Sequence, residues 1–301
     1  WAADVAKIAE KHTEHIKKIL KSRDPKPKKA FEKYLVGIRK NINPAISEND
    51  AIEMLSQHLI TKPIFDALFE HYPFSEKNPV SKSLQAILKI LEAGTFKEDA
   101  AKLKGFYDSV RMRVKGINNA EGRQKIIVEL YERFFKVAFK KMHERLGIVY
   151  TPIEVVDFII QSVETVLKDE FGQSLSDEGV HILDPFTGTG TFLVRLLQSG
   201  LIKPSDLKRK FENELHANEI VLLAYYIGAV NIEETYHDLT KGEYAPFEGA
   251  VLTDTFQLTE SEPQSSFESA LPENSERVKR QSKTTIRVII SNPPYSAWQG
   301  N

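Results

Sequence analysis

The run HILDPFTGTGTFLVRLL, residues 181–197, limits most tightly what this chain can fold into. An apolar segment ends at Asp184, a turn carries glycines at 188 and 190, and an amphipathic helix opens at about Thr191. Such a strand, glycine turn and helix is one half of a parallel crossover unit, whose sheet must be covered on both faces. The rest of the second half repeats the alternation. Val180–Leu183, Leu215–Ala217, Ala250–Thr253 and Val288–Ile290 read as strands, and a helix is expected through Ile220 to Ile232. Residues 257–285, rich in Ser and Glu, break this order. They hold too little apolar content to pack and are expected to form a flexible surface insertion.

Before residue 147 the pattern differs. Val5, Ile8, Ile16 and Ile19 make one helical stripe, and Ile127, Leu130, Tyr131, Phe134, Val137 and Ala138 a stronger one. Ser47 with Asp50, and Thr95 with Glu98, have capping-box spacing, while Pro25, Pro27, Pro44 and Pro73 punctuate the series. Residues 1–146 are therefore expected to be an all-helical bundle, with Phe65, Phe69 and Phe135 in its core, and 147–301 the α/β domain.

The two halves differ in charge. Residues 1–150 hold 29 Lys+Arg against 19 Asp+Glu, and residues 151–301 hold 12 against 23. The first half suits a phosphate-bearing partner, although Lys-rich amphipathic helices with solvated faces account for the excess equally well. There is no cysteine, and no histidine grouping has metal-ligand spacing, so no metal is expected. No apolar run reaches the roughly 18 residues of a membrane span, and no secretory leader is apparent, so a cytoplasmic location is expected.

The glycine turn lies where open α/β sheets bind ligands, at a strand's carboxyl end. A dinucleotide loop would need a third glycine near residue 193, where this chain has Leu193. An acid at the strand end, Asp184, suits instead the ammonium of an amino-acid moiety, which fits S-adenosylmethionine better than a nicotinamide dinucleotide. Glu219, ending LHANEI, is placed to accept hydrogen bonds from both ribose hydroxyls; Glu214, ahead of that strand, is its competitor. In VLTDTF, Asp254 is a candidate partner for an adenine amine and Phe256 for packing on the ring.

RVIISNPPYSAW, residues 287–298, adds the reacting side. Two consecutive prolines after a strand end its ladder and remove two amide donors, leaving a rigid platform of acceptors. The two hydrogens of an adenine amine match the Asn292 side-chain oxygen and the Pro293 carbonyl, with Pro294 fixing the turn and Tyr295 stacking on the base. A base within a duplex reaches such a platform only when flipped out.

These residues resemble the N6-adenine DNA methyltransferases. The resemblance makes Asp184, Pro185, Phe186, Gly188 and Gly190 the cofactor motif, Asn292, Pro293, Pro294 and Tyr295 the catalytic motif, and the TDTF segment an adenine contact. GIVYTPIEVVDFII, 147–160, is similar to that family's additional cofactor motif, with Tyr150, Thr151 and Pro152 near the methionine end. Its position ahead of the glycine loop resembles the gamma-class order. The preceding helical domain with NPPYSAWQGN resembles the coupler and N-terminal methyltransferase part of single-polypeptide type I-like (type ISP) restriction-modification enzymes.

The implied fold is α/β: a Rossmann-like S-adenosylmethionine-dependent methyltransferase sheet, incomplete at its C-terminal end, preceded by an all-α domain. The implied partners are double-stranded DNA and further domains of the same polypeptide, namely nuclease, helicase and target recognition. No Gly-Lys-Ser/Thr phosphate loop is present, so no motor is expected within these residues. Two alternatives stay open. One is a methyltransferase acting on a protein glutamine amide or an RNA guanine amine; the other is a non-catalytic DNA-binding or coupling module.

Overall fold

The computed structural model describes residues 2–68, 73–91, 108, 112, 151–260 and 270–294. The chain divides into two compact units, Trp1–Lys140 with Glu262–Glu276, and Lys141–Ser261 with Arg277–Asn301.

The described part of the first unit is helical: α1 Ala2–Leu20, α2 Pro25–Asn41, α3 Glu48–Leu68, α4 Phe74–Lys77 and α5 Pro79–Leu91. The stops and starts follow local chemistry. Asp24 caps α2 by accepting from the Lys26 amide at 2.9 Å, with Pro25 at the first helical position. The Ser47 box forms as spaced: the Asp50 amide donates to Ser47 Oγ at 3.1 Å, and the Ser47 amide donates to Asp50 Oδ2 at 2.9 Å. Ile16, Tyr34, Ile38, Ile52, Leu55, Ile60 and Leu84 are fully buried, and Phe65 joins them in the core. The second predicted box, Thr95 with Glu98, and the stripe from Ile127 to Ala138 lie outside the described residues, as do Phe69 and Phe135.

The second unit holds a four-stranded parallel sheet in the order β3-β2-β1-β4, formed by β1 His181–Asp184, β2 Leu215–Glu219, β3 Ala250–Leu252 and β4 Ile286–Ile289. The strand order reverses between β1 and β4, so the carboxyl ends of these two strands flank the crevice where such sheets bind ligands. The sequence places all four strands within two residues. It does not anticipate the extent of α6, Ile153–Phe171, which ends on Gly172 in the left-handed conformation. α7 (Thr191–Gln198) follows the glycine loop, and α8 (Leu207–Arg209) continues into a π-helical turn ahead of β2. α9 (Leu222–Thr240) is buried on every side from Leu222 to His237, and a short α10 (Thr255–Glu260) follows β3.

One expectation is corrected. Within 257–285, read as a loop unable to pack, Pro272–Ser282 forms helix α11. Its apolar residues are few, but polar side chains are buried with partners. In the first unit Ser275 Oγ donates to Asn41 Oδ1 at 3.2 Å. In the second unit Arg277 donates to the Phe247 and Ala250 carbonyls at 3.1 and 3.2 Å and pairs with Glu248 at 2.8 Å. Polar contacts of this kind leave no apolar period in the sequence.

Two buried charge groups fix the sheet's surroundings. Lys210, with no exposure, reaches Glu214 at 2.8 Å and the Asp177 and Val180 carbonyls at 2.7 and 2.8 Å, while Arg209 also pairs with Glu214. Glu233 accepts from the Phe247 amide at 2.8 Å and the Tyr244 hydroxyl at 2.9 Å, holding the loop that leads to β3.

Candidate cofactor and acceptor site

The glycine loop crosses the carboxyl ends of β1 and β2 and is fastened to both. The Thr187 amide donates to the Asn218 carbonyl at 3.0 Å, and Thr187 Oγ1 donates to the Asp184 carbonyl at 2.9 Å. Gly188 and Gly190 have φ of 55° and 85°, which other residues adopt at a cost. Gly190 also has little room for a side chain, since a Cβ there would stand 3.0 Å from the Gly228 carbonyl oxygen. The same contact governs α9 in reverse: a Cβ on Gly228 would lie 2.9 Å from the Gly188 carbonyl oxygen. Asn231, one turn on, donates to the Thr189 carbonyl at 2.9 Å.

Asp184 is fully buried at the end of β1. Its Oδ1 accepts from the Phe186 amide at 3.2 Å and from Ser291 Oγ at 2.6 Å, and its buried Oδ2 has no hydrogen-bond partner among the described residues. Burial pushes the carboxyl up to about 7; the Ser291 and Phe186 hydrogen bonds oppose the rise, and nearby Glu219 adds to it. A buried acid with one oxygen held and the other unmet fits a cationic donor such as an amino-acid ammonium.

Glu219 ends β2 beside this loop. Oε2 accepts from the Gly188 amide at 2.8 Å and Oε1 from the Val221 amide at 2.7 Å, so the carboxylate is oriented from both sides. Burial raises its pKa, with backbone amides opposing. Carboxylate oxygens have lone pairs beyond these two bonds, leaving capacity for hydroxyl donors. Glu214 stands at the opposite end of β2, committed to Lys210, Arg209 and the Gly179 amide.

The segment after β3 joins the same group. Thr255 Oγ1 donates to the Pro185 carbonyl at 2.8 Å and accepts from Asn218 Nδ2 at 3.2 Å. Asp254 Oδ1 accepts from the Phe256 amide at 2.9 Å, and the Phe256 ring, 58% exposed, lies 5.3 Å from that of Phe186. From β4 the Ile290 amide donates to the Leu183 carbonyl at 3.0 Å, and Ser291 follows with its bond to Asp184. Asn292 is half-buried; Pro293 and Pro294 are exposed. Thr151 is half-buried, and Pro152, exposed, precedes α6. Tyr150 and Tyr295 lie outside the described residues.

The structure thus brings Asp184, Pro185, Phe186, Gly188, Gly190, Glu219, Asp254 and Phe256 together at the strand ends, with Asn292 one residue beyond the Ser291 bond. Sequence reasoning missed Ser291, Asn218, Gly228 and Asn231, and within the TDTF segment it did not single out Thr255. The signal for Gly228 was present, a glycine within an otherwise apolar helix, which marks a close approach. The others are polar residues whose partners lie far along the chain.

A family model described as "N-6 DNA Methylase" matches residues 122–301. The chain belongs to the N-6 DNA methylase family. Residues 1–122 match the model of the coupler domain of type ISP restriction-modification enzymes, so the family resemblance holds over both halves. Among solved structures, the ATP-dependent type ISP restriction-modification enzyme LlaBIII bound to DNA is 53% identical, with a TM-score of 0.91 over 100% of this chain and 21% of that one. A nuclease-deletion mutant of the type ISP enzyme LlaGI, in complex with a DNA substrate mimic, is 52% identical, with a TM-score of 0.90 over 100% of this chain and 24% of that one. The DrdV–DNA complex is 35% identical, with a TM-score of 0.87 over 99% of this chain and 28% of that one. The chain therefore spans between 21% and 28% of these solved relatives. No curated relative matches it. Among the described residues no helix is long and apolar enough to cross a membrane.

Proposed function

We propose that this chain is the coupler and cofactor-binding methyltransferase part of a larger restriction-modification polypeptide, working in the cytoplasm. Its reaction is transfer of a methyl group from S-adenosylmethionine to the N6 amine of an adenine flipped out of double-stranded DNA. The observation that carries the reading is the 2.6 Å bond from Ser291 to Asp184, because it holds the Asn292-Pro293-Pro294 turn against the glycine loop across the β1/β4 crevice. The family membership and the DNA in the solved relatives support the substrate class.

The cofactor supplies an activated methyl on a sulfonium. The work of the chain is placement. Asp184 receives the ammonium, Glu219 the ribose hydroxyls, and the Phe186–Phe256 pair with Asp254 the adenine edge; Tyr150, Thr151 and Pro152 close the methionine end. Asn292 and the Pro293 carbonyl accept the two hydrogens of the target amine, turning its lone pair toward the methyl, with Pro294 fixing the turn and Tyr295 against the base. Acceptors so placed stabilise the positive charge that grows on the attacking nitrogen, so direct displacement needs no covalent enzyme intermediate. The basic helical half meets DNA phosphate.

Incubating the full-length polypeptide with labelled cofactor and, in parallel, duplex DNA, ribosomal RNA and a release-factor protein tests this. N6-methyladenine in the DNA digest is expected. Label in protein glutamine or RNA guanine instead, or no cofactor binding at all, would replace the reading with one of its two alternatives.

A further inference from the structure

We infer that Ser291 is a positioning residue that couples the two half-sites: its hydroxyl fixes one oxygen of the ammonium-binding acid Asp184 while tethering the Asn292 turn. This rests on the proposed function and deepens it. Two observations carry it. Ser291 Oγ and Asp184 Oδ1 are 2.6 Å apart although 107 residues separate them, and the donor is the residue immediately before Asn292. Asp184 is wholly buried, so each hydrogen bond to its carboxylate weighs heavily in its titration. Glu219, at the end of neighbouring β2, is the charged group acting on it, and like charge disfavours ionisation.

The direction follows from these parts. An ammonium pairs with the carboxylate and not with the carboxylic acid, so cofactor affinity should fall as pH drops through the folded pKa of about 7. The Ser291 hydroxyl lowers that pKa, and its removal moves the transition to higher pH. Removing a hydrogen bond to a charged group corresponds to a shift of about one pH unit, which lowers affinity about fivefold at pH 7 and about tenfold well below it.

Two probes separate this role from a merely structural one. S-adenosylhomocysteine carries the ammonium, whereas 5′-methylthioadenosine has the same nucleoside without it. Calorimetric titration of the full-length protein across pH 5.5 to about 9 should show S-adenosylhomocysteine affinity falling at low pH. In Ser291→Ala the midpoint should rise by about one unit while methylthioadenosine affinity stays unchanged; Ser291→Thr should restore the original profile. Asp184→Asn should remove the part of the S-adenosylhomocysteine pH dependence that methylthioadenosine, which still meets Glu219, does not share. An unshifted midpoint in Ser291→Ala, equal loss for both probes, or an S-adenosylhomocysteine-to-methylthioadenosine affinity ratio that still falls at low pH in Asp184→Asn overturns the inference while leaving the proposed function standing. Failure of the wild type to bind S-adenosylhomocysteine overturns both.

Discussion

Replacing Gly228 by Ala sets two effects of known sign against each other. Alanine in a helix interior is favoured over glycine by about 0.5–1 kcal/mol, so Gly228→Ala should stabilise α9 if the helix stood alone. In the folded protein the added methyl would sit 2.9 Å from the Gly188 carbonyl oxygen and 3.4 Å from Thr187 Cγ2. The first distance is about 0.5 Å short of ordinary contact, and its partner is backbone that cannot rotate away. Overpacking of this kind costs about 1–3 kcal/mol, so the clash outweighs the propensity gain and leaves the unit about 1 kcal/mol less stable. The strain is relieved by moving the glycine loop, which carries the Gly188 amide bonded to Glu219. Cofactor affinity should therefore fall about tenfold, more than the stability change alone would cause. Thermal unfolding of the full-length protein with and without S-adenosylhomocysteine, alongside calorimetry, measures both. A variant that melts higher than wild type and binds the ligand equally well would refute the close-approach argument.

Three further outcomes follow from the buried and basic groups. Glu214→Ala removes the carboxylate that neutralises Lys210, which has no exposure and keeps the Asp177 and Val180 carbonyls, and should destabilise the second unit by about 3 kcal/mol, seen as a lowered denaturation midpoint; a loss under about 1 kcal/mol would contradict it. Burial raises the Glu233 carboxyl from 4.5 to about 7, so the folded state holds a proton that the unfolded state releases, and stability declines as pH rises through that window. Glu233→Gln should match wild type near pH 4.5 and gain on the order of 3 kcal/mol above about pH 8; a pH-independent difference would refute this. In the first unit Lys17, Lys21 and Lys28 line an open groove of about 730 Å³. Substituting all three by Ala should lessen the salt dependence of DNA affinity by about 0.9 in log–log slope for each phosphate no longer neutralised, and an unchanged slope would make them a solvated face.

Much of the sheet was legible because each strand is a short apolar run beside a turn signal, and the glycine loop declares its conformation through residues 188 and 190. Strand ends moved by one or two residues, as at Val180 and Ile290, which are buried although they lie just outside the strands. Helix α11 was illegible for a different reason. Arg277 and Ser275 are buried through hydrogen bonds to residues remote in sequence, and such bonds impose no period. The site divides the same way. Asp184 and Asn292 announce themselves by motif, whereas Ser291, which joins them, is an ordinary serine until β1 and β4 are seen side by side.

The central claim is that Asn292 orients an adenine amine for methyl transfer without helping to hold the cofactor. Its most direct test is single-turnover methylation of duplex DNA by the full-length protein, wild type against Asn292→Ala, with N6-methyladenine quantified and S-adenosylhomocysteine affinity measured on the same preparations. The account predicts that the variant binds the ligand within about twofold of wild type while methyl transfer falls by at least about a thousandfold. Methyl transfer at the wild-type rate by Asn292→Ala would contradict it.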